Sequence, residues 1–173
     1  MSDVLEAIKK RRSIRKYKDT MVPKEIIDKI IEAGTYAATG MGKQSPIIIA
    51  VTNKELRDKL SAMNAKVMGK DADPFYGAPV VLVVLASKER PTYIYDGSLV
   101  MGNLMLEADA LGIGSCWIHR AKEEFESEEG KEILRSLGIE GDYEGIGHCI
   151  LGYADGPAPK AAPRKESYVY YAE

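Results

Sequence analysis

Residues 99–111, LVMGNLMLEADAL, restrict what this chain can fold into more than any other segment. Asp96, Gly97 and Ser98 precede the run as candidate caps, and Gly112 follows it as a left-handed stop, so it reads as one helix. On a helical projection Leu99, Val100, Met101, Leu104, Met105, Leu106, Ala108, Ala110 and Leu111 cover most of the circumference. A helix that is apolar nearly all round must be covered on nearly all sides. The chain has 173 residues, the size of one compact domain. Two solutions remain: the helix is central, or it forms a subunit interface.

The rest of the chain supplies elements to surround it. Residues 3 to about 12 are predicted as a first helix with Val4, Leu5 and Ile8 on one face. Pro23 near a first turn, a stripe of Ile26, Ile27, Ile30 and Ile31, and Gly34 as a stop mark a second. Residues 47–51 and 79–86 are apolar runs of strand length, and both read as strands buried on two faces. Asn53 is the candidate cap of a helix carrying Leu56, Leu60, Met63 and Val67. Residues 115–118 and 147–153 read as strands. Ser127 opens a helix through Ile133, Leu134 and Leu137 that Gly138 stops. Residues 70–78 read as a polar, mobile loop. The stretch DGPAPKAAPR (155–164) is stiff and poor in apolar side chains. It leads into SYVYYAE, whose β-prone residues need a sheet edge to join. There is no internal repeat and no regular βαβ rhythm. The expected fold is α+β, with helices on both faces of one sheet.

A formal net charge of −2 argues against a dedicated nucleic-acid binder, yet the charge is uneven. Lys9, Lys10, Arg11, Arg12, Arg15, Lys16 and Lys18 place seven cations in ten positions, and Glu123, Glu124, Glu126, Glu128 and Glu129 form an acidic run. No stretch reaches the roughly 18 apolar residues of a membrane span, and no signal-length apolar core precedes the first basic run. Cys116 and Cys149 sit inside apolar runs and read as reduced core residues, so a cytoplasmic setting is expected, with neither membrane nor nucleic acid as partner.

Three segments can carry chemistry. Arg11, Arg12, Ser13 and Arg15 follow the first helix; guanidinium forks around a hydroxyl suit a phosphate, although a solvated basic patch reads the same way. Thr39, Gly40, Met41, Gly42, Lys43 and Gln44 form a loop whose glycines let backbone approach a planar ligand and whose Gln44 suits a heterocycle edge. It lacks the spacing of a Walker phosphate loop. Gly114 to Arg120 holds the only tryptophan, Trp117, and one of two histidines, His119. Cys116 and His119 lie three apart in a strand, on opposite faces, which weakens a nucleophilic pair. Cys116, His119, His148 and Cys149 lack zinc-finger spacing, although two strand ends can bring them together.

The order of these segments is more specific than any one of them. RRSIRKY after the first helix, a Gly-rich loop leading into QSP and a strand, a long apolar helix ending ALGIGSCWI, and a GY-plus-proline segment closed by an arginine occur in turn. Over essentially the whole chain this closely resembles the FMN-dependent nitroreductase family, as a short member. The resemblance implies helices on both faces of a central mixed sheet and an intertwined homodimer with an exchanged C-terminal strand. Residues 1–154 would form the FMN-binding domain, and 155–173 an extension crossing to the partner subunit.

It also implies roles. Arg11, Arg12, Ser13 and Arg15 would hold the flavin phosphate, ribityl chain and pyrimidine edge, with Arg164 closing on the phosphate. Thr39, Gly40 and Met41 would reach the flavin from the partner subunit, with Gln44 close by. Trp117, Ile118 and His119 would run past the isoalloxazine ring. The implied activity is ping-pong hydride transfer from NADH or NADPH through flavin N5 to a nitroaromatic, quinone or similar electron-poor acceptor. No protein side chain is required as a catalyst, because the chemistry is the cofactor's. The alternative is a non-catalytic FMN-binding or redox-sensing protein of the same fold.

Overall fold

The run VVLVVLAS becomes strand β2, Val80–Ser87, and sorts the hydrophobic core into two halves. In the computed structural model, which describes residues 3–172, Val81, Val83 and Leu85 enter one core. Val80, Leu82, Val84 and Ala86 enter the other. All seven are shut off from solvent, as period-two alternation between two covered faces requires. Burying a Val or Leu side chain contributes about 1.5–3 kcal/mol, so this strand is a principal source of stability.

The sheet order is β1-β2-β4-β3, with β1 at Pro46–Val51, β3 at Gly114–Ile118 and β4 at Tyr143–Gly152. Its three pairings are antiparallel. The mixed sheet of the expectation is thus corrected: among the described residues the one parallel contact is an isolated bridge, Ser13 to Ser115. β1 is an edge strand and is half covered, with Ala50 exposed, so it is not buried on both faces as its composition suggested. β4 starts four residues earlier than the predicted 147, and its register against β2 shifts between Val84 and Leu85.

Helices cover both faces. On one side lie α3, Lys54–Met68, α5, Ala121–Glu126, and α6, Glu128–Ser136, contributing Leu60, Met63, Phe125, Ile133 and Leu134. On the other lie α2, Lys24–Thr35, and α4, Tyr93–Ala110, contributing Ile27, Ile30, Val100, Met101, Leu104 and Ala108. The caps at Asn53 and Ser127 form, accepting from the amides of Leu56 and Gly130. Gly34 does not stop α2. It lies buried within the helix, where a Cβ would come 2.6 Å from Leu104 Cδ2, so its role is close packing against α4.

Asp96 does not cap α4, which begins three residues earlier; the carboxylate turns instead toward the Gly-rich loop. Residues 70–78 are tied down. Asp73 accepts from Arg57, Ser61 and the amides of Phe75 and Gly77, and Phe75 is fully buried. Burial alone would raise the Asp73 carboxyl, but these bonds outweigh it and hold it below its ordinary value.

Only part of α4 finds cover within one chain. Ile94, Tyr95 and Leu99 stay exposed while Val100, Met101 and Leu104 are buried. α1, Asp3–Lys10, leaves Val4 and Ile8 exposed and lies against α4. Residues 155–172 contain one short 3-10 turn and no strand, and Tyr168, Val169, Tyr170 and Tyr171 are exposed. Met1, Ser2 and Glu173, at the outer limits of the two predicted segments, lie outside the described residues. Among the described residues no helix is long and apolar enough to cross a membrane.

A cationic cleft and the edge strand beside it

The chain leaves α1 through its basic run, and Arg12 shapes that exit. Its Nη1 donates to the carbonyls of Lys9, Lys10 and Arg11 at 2.6, 3.1 and 2.7 Å, satisfying acceptors that the end of a helix leaves open. Ser13 then bridges Ser115 on β3, with the Ile14 amide donating to the Ser115 carbonyl at 2.9 Å. Tyr17 bridges Ala154, and its hydroxyl donates to the Ile14 carbonyl. Burial pushes the Tyr17 hydroxyl far up from its ordinary value. The basic segment is thereby pinned along the open edge of β3.

Beyond β4 the Pro/Ala stretch turns back, the Asp155 amide donating to the Lys16 carbonyl at 3.0 Å, and supplies the opposite wall. The result is a cleft of about 550 Å³ whose polar lining, among the described residues, is Lys9, Arg11, Arg12, Ser13, Lys160 and Arg164, with no carboxylate. Arg11 Nη1 is cut off from solvent and has no hydrogen-bond partner among the described residues. The same holds for Ser115 Oγ, on the residue bonded to the Ser13 segment. A guanidinium nitrogen without a partner, on a residue that lines a cleft rich in cations, suits a site for an anion.

Arg11, Arg12, Ser13 and Arg164 therefore line one cleft. Arg15 is exposed and lines a smaller neighbouring cavity with Lys16 and Asp155. Lys160 was missed; as a lone cation in a Pro/Ala stretch, its only sequence signal was its nearness to Arg164.

Thr39, Gly40, Met41 and Gln44 do not line this cleft. Their loop stands beside α2, β1 and α4, where Thr39 and Gln44 border an apolar cavity of about 380 Å³. Its shape is set by Asp96, which accepts from the Gly40 amide at 2.9 Å, the Ser45 hydroxyl at 2.7 Å and the Thr92 hydroxyl at 3.1 Å. A Cβ at Gly40 would lie 2.3 Å from Thr92 Oγ1, so only glycine fits there. Met41 and Gln44 hold positive φ of 55° and 50°, and the Met41 side chain is exposed.

Trp117 and Ile118 end β3, and His119 follows it. Trp117 packs over Gly147, where a Cβ would meet the indole Nε1 at 2.4 Å; Ile118 is buried and His119 is exposed. None of the three lines the cleft, but all continue the strand that holds Ser13. At about 3.3 Å per residue, His119 lies on the order of 13 Å beyond Ser115. Cys116 and Cys149 enter cores on opposite faces of the sheet, and burial pushes the Cys149 thiol far up. His148 is buried beside Glu124. The four Cys and His side chains do not converge, and no metal-holding cluster occurs among the described residues.

A family model described as the nitroreductase family matches residues 8–153. A protein of Methanothermobacter thermautotrophicus, provisionally named an NADH dehydrogenase/NAD(P)H nitroreductase, is 37% identical over 66% of this chain and 60% of its own length. One of the same name from Archaeoglobus fulgidus is 32% identical over 88% of this chain and 86% of its own. A Bacteroides fragilis nitroreductase crystallised with bound FMN superposes with a TM-score of 0.88 at 29% identity, covering both chains fully.

Proposed function

The chain belongs to the nitroreductase family, and on that premise we propose that it is an FMN-dependent NAD(P)H oxidoreductase acting as a homodimer. The observation that carries the reading is the acid-free cationic cleft with its unpaired Arg11 nitrogen. These residues fit the phosphorylated tail of FMN. Bound there, FMN supplies hydride transfer from NADH or NADPH to an electron-poor acceptor such as a nitroaromatic or quinone.

The chain's own residues bind and orient. Arg11, Arg12, Lys160 and Arg164 neutralise the phosphate, and the Ser13 hydroxyl and amide add short-range donors. Arg15 sits outside the main cleft, so its part is secondary. β3 runs from beside the phosphate-holding segment at Ser115 to Trp117 and Ile118, with His119 just beyond, and these three would border the flavin ring. Thr39, Gly40, Met41 and Gln44 approach the ring from the partner subunit, since their own chain carries them away from its own cleft.

Dimer formation accounts for features that a lone chain leaves unexplained. Tyr95 and Leu99 on α4 and Val4 and Ile8 on α1 gain cover, as in obligate interfaces that resemble a core cut in half. Residues 155–164 return along their own chain, so crossing to the partner begins after Arg164, with Tyr168–Tyr171 as the exchanged segment. On this reading the FMN-binding unit draws on residues 160–164 as well as on 1–154.

The test is sustained NADH or NADPH oxidation by the FMN-loaded protein with menadione or nitrofurazone. Multiple turnovers per flavin are expected for both acceptor classes or one of them. A flavin that is reduced once and never passes its electrons on would assign a binding or sensing role instead.

A further inference from the structure

A group of buried polar side chains beneath the end of β3 has no part in the cleft. Asn64 on α3 is fully buried and uses both ends of its amide. Its Nδ2 donates to the His119 carbonyl at 2.8 Å and to Glu124 Oε1, and its Oδ1 accepts from Arg120 Nε at 2.9 Å. Glu124, also buried, places its second oxygen 3.3 Å from His148 Nε2 on β4. His148 lies against the Phe75 ring, 5.1 Å between centroids. One side chain thus grips three positions at the junction between β3 and α5.

The junction is a strained place to grip. Arg120 has φ 77° and ψ 7°, the left-handed region that a non-glycine residue enters at a cost of order 1–3 kcal/mol. Such a conformation persists where neighbours over-determine it. Asn64 holds the carbonyl just before this residue and the guanidinium on it. Among the described residues no hydrogen bond or ion pair engages the Arg120 Nη atoms, so a half-buried cation is fixed at Nε and left open at its tip.

We infer that Asn64 is a positioning residue for the redox site: it fixes the His119 carbonyl and the Arg120 guanidinium at the strand end that borders the flavin ring. The inference rests on the FMN reading above and adds a residue from the opposite side of the sheet to it. Asn64 touches neither the phosphate cleft nor the Gly-rich loop, so its loss spares anchoring and disturbs only the ring end. A cation held there favours the electron-rich reduced ring, and one that wanders does so less. Small misplacements at a reacting centre are costly in rate.

The experiment uses FMN-loaded wild type, Asn64→Ala, Arg120→Ala and the double variant. FMN affinity, the visible spectrum and the single-turnover rate of flavin reduction by NADH are measured on each. Asn64→Ala is expected to keep FMN affinity within about threefold, to shift the flavin bands, and to slow reduction by about tenfold or more. Arg120→Ala leaves the Asn64 bonds to His119 and Glu124 in place, and carries the test if Asn64→Ala does not fold. It should slow reduction similarly. The double variant should be little slower than either single one, since the two residues act as a unit. Unchanged bands and rates in a folded, FMN-loaded variant, with only a lower melting temperature, would leave Asn64 a structural residue and overturn the inference alone. Wild type that takes up no FMN would overturn the flavin reading together with it.

Discussion

Replacing Asp96 by alanine removes the one carboxylate around which the Gly-rich loop is built. Three donors converge on it, from the Gly40 amide, the Ser45 hydroxyl and the Thr92 hydroxyl, and the residue is 3% exposed. Hydrogen bonds to a charged group contribute about 1.5–3 kcal/mol each, but the two hydroxyls can turn to new partners, so we set the net loss at about 3 kcal/mol. That is a large part of the 5–15 kcal/mol by which domains are typically stable. Urea unfolding at fixed protein concentration, followed through Trp117 fluorescence, should show a midpoint lowered by roughly 1–2 M.

The pH dependence supplies a second, independent sign. Burial alone would raise the Asp96 carboxyl, but the Gly40 amide, the two hydroxyls and the nearby Arg90 charge outweigh it and hold it below its ordinary value. A carboxyl depressed on folding stabilises fully above its unfolded pKa of about 3.9 and loses that contribution as pH falls through the folded value. The stability gap between wild type and variant should be constant above about pH 5 and narrow below about pH 4. A gap under about 1 kcal/mol at pH 7, or one that stays constant into strong acid, would refute a loop organised by this carboxylate.

Arg164→Ala should weaken FMN binding by roughly 10–100-fold in a fluorescence titration, because it removes one charge-assisted phosphate contact. The melting temperature without flavin should hold, since Arg164 is exposed and its hydrogen bond is local, to the Ala162 carbonyl. Ser13→Ala should weaken FMN retention in the same direction without unfolding the chain. Deleting residues 165–173 should shift the protein toward monomer in sedimentation velocity; a fully dimeric truncation would contradict strand exchange. Gly34→Ala forces a Cβ to within 2.6 Å of Leu104 Cδ2 and should cost about 1–3 kcal/mol in urea unfolding.

What the sequence disclosed, and what it hid, follow from the range of the forces involved. Local rules found Asn53, Ser127, Gly112 and Gly138, because caps and left-handed stops are settled within one turn of chain. Alternation and apolar runs located β2, but an edge strand and a central one can share a composition, so the half-exposure of β1 was not visible. Gly34 and Asp96 were misread as helix punctuation because the partners that define them, Leu104, and Ser45 with Gly40, are brought in only by the fold. The arginine cleft was legible as a cluster, and its far wall at Arg164 came only through the family resemblance. Asn64 gave no signal, and Glu124 and His148 stood out only as part of an acidic run and as one of two histidines. They sit 24 or more positions apart on separate elements, and nothing local to any of them marks a buried network.

The claim on which the account rests is that the cleft between Arg11 and Arg164 grips a flavin by its phosphate. Parallel equilibrium titrations of the apoprotein with FMN and with riboflavin, which differ by that group alone, address it directly. FMN is expected to bind about 100-fold or more tighter, the equivalent of about 2.7 kcal/mol, with an advantage that shrinks as salt is raised. Equal affinity for the two flavins, or binding of neither, would contradict it.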